Sequence, residues 1–480
     1  MRIQKGIQGF SIVVILACLL LSGFTWAQTE VRLELGFNNQ VVTDHWNPLR
    51  LTTTDLPTST LQLRLFRGTL RGGEVPFTIT LPLERRSGIS VLEEDIYLPA
   101  WRSFNWLLSS SDRTLASGSY NRSRGLVPSS TTLNLIVSTN PSRWFSLFDG
   151  SARITDSAAS LLPERLAAYD GVATVLVDGS TAVPSLKALA AAASAGATVL
   201  IIEPLPSSYE SLDVLAPLPL QRLGMGHFVR GTEEEVKTLL STLTPLDKRA
   251  LEDALIAEDL NRLPEPTNQL TLLIALLAYV IVLLITVRFA GGAGLITGLS
   301  LALIASLVFW AWLRPDEPQR QAGRILSIGA GQLANTLELR QLSSLPKSEV
   351  SLPILAYPDG LSDISLELMT GAEQTTGNLL LRSERWSRHT FRAKPVLEPA
   401  LLDWHEGQLR NLSSVQLFDV VIKGQGPQMP LNIGESRQGS DNEAVNYSDV
   451  YDSLLRLIPD GSALARDGGH IHIALPPKVD

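Results

Sequence analysis

Cysteine is almost missing from this chain: 480 residues contain one, Cys18. It falls inside residues 1–27, which read as a secretory signal. Arg2 and Lys5 supply the positive start, Ser11 to Leu21 the apolar stretch, and Thr25-Trp26-Ala27 a small-x-small cleavage site. An uncleaved signal anchor and a lipoprotein reading, with Ile15-Leu16-Ala17 before Cys18, stay open. If the segment is removed, no thiol remains, which excludes disulfides, zinc–thiolate sites and cysteine nucleophiles. Dense basic clusters are absent beyond the first five residues, and the formal net charge is −8 with a pI near 5.4. Nucleic-acid binding requires a basic surface, so no nucleic-acid partner is expected. The phosphate-loop pattern, the nucleophile-elbow pattern G-x-S-x-G and the zincin pattern H-E-x-x-H are missing too; His405-Glu406 has no second histidine at the required spacing. The six histidines are scattered.

What is present divides the chain. At a soft prior of about 150 residues per domain, the length suggests about three. The mean hydropathy is positive, as expected when some segments sit in lipid. Leu270 to Val287 and Gly294 to Leu313 carry no charge, and each is close to the ~20 residues a helix needs to cross ~30 Å of hydrocarbon. Arg288 and a glycine-rich link join them, with Trp310 and Trp312 placed as interfacial aromatics. The pattern predicts a two-helix transmembrane hairpin over 269–313. Residues 28–268 and 315–480 then share one compartment, outside the cytoplasm. The expected localisation is the cell inner membrane, multi-pass, with both large domains periplasmic and membrane lipid as one partner.

Residues 28–130 alternate with period two at Val31–Leu35, Leu61–Leu65 and Phe77–Leu81, which predicts a β-sandwich. Trp46 and Pro48 could form a ligand platform, although such a tryptophan more often fills a core. Residues 131–245 change pattern. Apolar runs at Leu133–Val137, Val172–Val177 and Ala197–Ile202 alternate with helical spacing at Ala158–Ala168 and Val183–Ala195, implying a parallel, Rossmann-like sheet. A ligand of such a sheet sits beyond the strand C-termini, where Ser138, Asp178 and Glu203 fall; all three are also ordinary turn and cap residues. Gly224 and Gly226 lack the third glycine of a dinucleotide fingerprint. Glu233–Glu235 suits the first turn of a helix, and Glu93–Asp95 is a charge run. Residues 246–268 read as a helical linker, and 314–480 as a C-terminal, mainly-β domain with a helix at Ser448–Leu457. His470 and His472 share a strand face and could together bind a metal, but no third ligand is identifiable and surface-strand histidines are the plainer reading. The fold class expected is a multidomain α+β membrane protein.

Trp46-Asn-Pro-Leu49, Leu162-Pro-Glu-Arg165 with Tyr169-Asp170-Gly171, the step from Ala195-Gly196 to Ile202, and Gly224-Met-Gly226 before a strand resemble uncharacterised bacterial membrane proteins with a class I glutamine amidotransferase-like α/β domain. Such proteins accompany MoxR-type ATPases and von Willebrand A-domain proteins. True amidotransferases carry a cysteine after a strand, which this chain lacks, so the resemblance implies the fold without the activity. No catalytic, cofactor-binding or metal residue is assigned, and no cofactor is expected. The function expected is a non-enzymatic, membrane-anchored envelope scaffold or binding module with an envelope or membrane protein partner. The alternatives are an envelope hydrolase or carbohydrate-active enzyme using carboxylates such as Asp178 and Glu203, or an accessory subunit of a transport or polymer-export complex. Oligomeric state is not legible.

Overall fold

The computed structural model describes residues 31–54, 60–66, 77–82, 89–98, 100–110, 113–148, 152–181, 184–204, 219–243, 245–262, 280–281, 284–285, 288, 319–331, 333–344, 348–353, 355–356, 364–369, 376–381, 387–427, 430–437, 449–468 and 470–476. These are predominantly strand.

Alternation builds the N-terminal β-rich region. Val31–Leu35, His45–Thr54 and Ile89–Leu98 form an antiparallel sheet of three. A seven-stranded sheet shares their core and contains Thr60–Phe66, Phe77–Pro82, Ser103–Ser110 and Arg113–Asn121. Leu61, Leu63 and Leu65 point inward with Leu49 and Leu51 of the smaller sheet, while Gln62 and Arg64 take the other face. The seven-stranded sheet is completed from far along the chain by Ile364–Met369, Thr376–Leu381 and Ser348–Pro353. Glu367 pairs in parallel with Thr78.

A parallel sheet follows, in the order Arg153–Asp156, Leu133–Val137, Val172–Asp178, Thr198–Ile202, Gly226–Gly231, with Leu220–Leu223 antiparallel at one edge. Every residue of Leu133–Val137 and Thr198–Ile202 is buried, because both sheet faces are covered. Helix α1, Leu186–Ala195, lays alanines against one face and ends at Gly196, whose φ of 112° closes it. Helix α2, Glu233–Thr242, covers the other face with Val236 and Leu240 beside Trp144. The helix expected at Ala158–Ala168 does not form. Two short 3-10 turns, Ala159–Leu161 and Leu166–Tyr169, flank Pro163, and Leu162 is extended at ψ 122°. Proline removes a helical donor and disfavours the α conformation in the residue before it.

Helix α3, Lys248–Arg262, and helix α4, Asp449–Leu457, bury Leu251, Leu255, Tyr451 and Leu454 on one face of a nine-stranded sheet. Gln319–Ala330, Leu333–Ser344, Ala463–Asp467 and His470–Ala474 are central in it. The opposite face meets a small sheet of Leu402–His405, Gln408–Asn411 and Ser436–Arg437.

The membrane expectation is corrected as well. Among the described residues no helix is long and apolar enough to cross a membrane. The longest described helix that is continuous, α3, has 15 residues. At 1.5 Å per residue that is about 22 Å, short of ~30 Å of hydrocarbon, and it carries Lys248, Arg249, Glu252 and Asp253. The two-helix hairpin, the membrane fold class and the multi-pass inner-membrane localisation are therefore set aside. The segment 269–313 on which they rested lies outside the described residues, except for five exposed helical positions: Val280, Ile281, Leu284, Ile285 and Arg288. The signal reading of residues 1–27 falls wholly outside them.

Candidate functional site

In an open parallel sheet the ligand crevice forms where strand order reverses. Here the chain leaves Leu133–Val137 for Arg153–Asp156 on one side, then crosses to Val172–Asp178 on the other. The reversal brings Ser138 and Asp178 together, as the sequence suggested. Asp178 is 5% exposed. Its Oδ2 accepts hydrogen bonds from Ser138 Oγ at 2.9 Å and Trp144 Nε1 at 3.3 Å. Its Oδ1 accepts from Ser180 Oγ at 2.6 Å and Ser180 N at 3.2 Å. Burial pushes its pKa up, but the donors Ser180, Ser138 and Trp144 outweigh this and hold it below the usual carboxylate range. Such a carboxylate is ionised and fully engaged, which suits a turn anchor better than a general base. Ser138 Oγ gives its proton to Asp178 and accepts from Asn140 N at 3.0 Å. Glu203 stands exposed after the neighbouring strand end, its backbone N–H bonded to Gly231 O at 3.0 Å.

The sequence motifs converge elsewhere, where the N-terminal sheets meet the parallel sheet. Asn47 fixes the turn before its strand, accepting from Val42 N at 2.7 Å and donating to Val42 O at 2.8 Å. Trp46 N then donates to Asp170 Oδ2 at 3.1 Å, and Asp170 also pairs with Lys248 of α3. Burial raises the Asp170 pKa, but the charges of Lys248 and His45 and the two hydrogen bonds bring it below the ordinary value. Arg165 Nε reaches both oxygens of Asp95 at 3.1 Å, and Lys394 Nζ reaches Oδ2 at 3.0 Å. The Asp95 side chain is 0% exposed. Asp44 accepts from the Tyr97 hydroxyl at 2.5 Å and pairs with Arg249 at 3.0 Å. Gly171 is needed here because a Cβ would lie 2.8 Å from Val42 Cβ. The cavity beside Asp44, Trp46, Tyr97, Asp170, Lys248 and Arg249 measures about 90 Å³, too small for a drug-sized ligand, which needs ~300 Å³ or more. The junction is a clasp of paired charges.

A larger cleft of about 250 Å³ opens nearby, lined by Arg32, Glu34, Asn38, Asn39, Arg50 and Asp156 among others. Asn38 and Asn39 form a two-residue turn, both at positive φ (47° and 59°), between the bridged residues Phe37 and Gln40. Asparagine tolerates this conformation, and the turn holds polar amides at the cleft rim. Asn38 Nδ2 donates to Asp156 Oδ1 at 2.9 Å, and Arg153 Nε to Gln40 Oε1 at 2.8 Å, so hydrogen bonds at the cleft join the two regions. The asparagine pair between apolar Phe37 and Val41 was the signal in the sequence.

The other singled-out residues are placed apart from these. Trp46 is 3% exposed and packs edge-on against Tyr97, centroids 5.8 Å apart; it is a core residue. Gly224 and Gly226 fit a tight turn against α1: a Cβ on the first would lie 2.4 Å from Ser194 Cα, and on the second 2.2 Å from Ala197 O. Their role is close packing. His405 and Glu406 are neighbours at 4.0 Å on an exposed turn. His470 and His472 occupy one strand face, ring centroids 6.3 Å apart. Compared with protein-family models and with curated proteins, the chain matches none.

Proposed function

We propose that this chain is a non-enzymatic binding and scaffold protein. Its α/β unit has the framework of a class I glutamine amidotransferase-like domain without its chemistry, and its N-terminal two-sheet unit acts as a β-sandwich. One observation carries the reading: at the strand-order reversal the buried carboxylate of Asp178 is consumed by four internal donors. A hydrolase working there needs that carboxylate free to take a proton or to attack. Binding falls instead to the polar cleft beside Asn38 and Arg50. Its mixed charges and amides suit a polar segment of a protein partner.

The test is chemical crosslinking in the producing cell with full-length protein. Asn38→Lys combined with Arg50→Glu is expected to remove the crosslinked partner while leaving the chain folded, with the circular dichroism spectrum of the parent; some loss of unfolding temperature is expected, because Asn38 sits at positive φ and Arg50 pairs with Glu93. Asp178→Asn is expected to leave partner capture intact. Undiminished capture by the cleft variant, or turnover of a substrate that Asp178→Asn abolishes, overturns the reading.

A further inference from the structure

The hairpin of Ala463–Asp467 and His470–Ala474 turns through Gly468 at φ 56°. Asp467 stands opposite His470, and Ala465 opposite His472. Residues opposite one another, and two apart along a strand, share a face. Asp467, His470 and His472 are thus brought to one face by pairing across the turn. One donor atom of each lies within 4.8 Å of the others. Three atoms at that spacing sit about 2.8 Å from their common centre, so sub-ångström rotations bring them to the ~2.0–2.2 Å of metal–ligand bonds.

A second observation points to a ligand. His472 is 3% exposed, and neither ring nitrogen has a hydrogen-bond partner. A neutral imidazole carries one donor and one acceptor, and leaving both orphaned in a protein interior is unfavourable. Its flanking positions are Ala465 and Ser327, small residues that leave the ring room without filling its bonds. His470 is exposed and Asp467 half-buried, so the cluster opens to solvent. Two imidazole nitrogens and one carboxylate oxygen form a borderline donor set. It suits zinc and its first-row neighbours rather than calcium or magnesium, which take oxygen ligands.

We propose that Asp467, His470 and His472 bind a divalent transition-metal ion, zinc first among the candidates, with a coordination position open to water or to a further ligand. The site lies away from the cleft and the strand-order reversal, and does not depend on the role assigned to either. The test uses the untagged full chain, stripped with chelator. It is titrated with zinc chloride by calorimetry and with cobalt chloride by visible absorption. One ion per chain at micromolar affinity or tighter is expected, with the intense cobalt bands of a low-symmetry nitrogen–oxygen site. His470→Ala and Asp467→Asn, both at accessible positions, are each expected to weaken binding at least about tenfold with an unchanged circular dichroism spectrum. Their accessibility keeps the test independent of whether a His472 variant folds. No binding by the parent chain at about 100 µM metal, a ΔG near −5.5 kcal/mol, overturns the proposal. So does a loss smaller than tenfold in both variants, which marks an adventitious ion only.

Discussion

Burial acts on His227 from two directions. The ring is 1% exposed and Nδ1 has no partner, while Nε2 lies 3.4 Å from Arg222 Nη2. Desolvation first, and the Arg222 charge second, push its pKa from 6.5 down to about 4. An unfolded chain takes up a proton there near pH 6.5, and the folded chain does so only near pH 4. Stability is therefore full above pH 6.5 and falls as the solution is acidified through that window, at 1.36 kcal/mol per pH unit, about 3 kcal/mol in all. The unfolding temperature, followed from pH 7 to pH 4, is expected to drop, and His227→Gln is expected to flatten the decline. Neither this residue nor Asp467 was legible as a special position in the sequence. His227 meets Arg222 because the hairpin register sets them opposite, and Asp467 meets His470 in the same way. Ser138 and Asp178 were legible because strand ends follow from the apolar runs alone, but the three side chains and the one backbone N–H that neutralise Asp178 as a reagent are not positioned by those runs.

Among the elements, the tight turn at Gly224 is one of the demanding ones. Its φ is 58°, and a Cβ would approach Ser194 Cα to 2.4 Å, where neither backbone can yield cheaply. Gly407 has a comparable φ of 76° with nothing within 4 Å. Gly407→Ala is expected to cost about 1 kcal/mol for the left-handed backbone alone. Gly224→Ala is expected to cost more by a further 1–3 kcal/mol or so, the scale of overpacking. Denaturant unfolding of the two variants measures the difference. Elements whose faces are set locally could be read in advance. Leu61–Leu65 alternates, and Glu233–Glu235 opens α2, where Thr232 and Glu235 complete a reciprocal cap. The segment around Pro163 could not be read from periodicity, because a single missing donor overrides the spacing of its alanines and leucines.

At the scale of the whole molecule, the charge clasp ties regions the sequence treated as separate. Asp95 of the N-terminal sheet is held by Arg165 of the α/β region and by Lys394 near the nine-stranded sheet. Asp95→Ala removes a buried carboxylate from between two half-buried cations that keep Glu93 and Glu94 as partners, and is expected to cost about 1–3 kcal/mol. Equilibrium denaturation is the check, and limited proteolysis should show the regions loosening together. The motif residues were visible early, but not that they grip one another, since that depends on contacts between distant stretches of chain. The same holds for Thr78 and Glu367, paired in one ladder about 290 positions apart. During synthesis the strand Phe77–Pro82 emerges with one edge bare, and its neighbour Ile364–Met369 is translated only much later. Until then an exposed ladder invites pairing with any passing strand. A cell making this protein must shield that edge for most of the time a ribosome spends on the message.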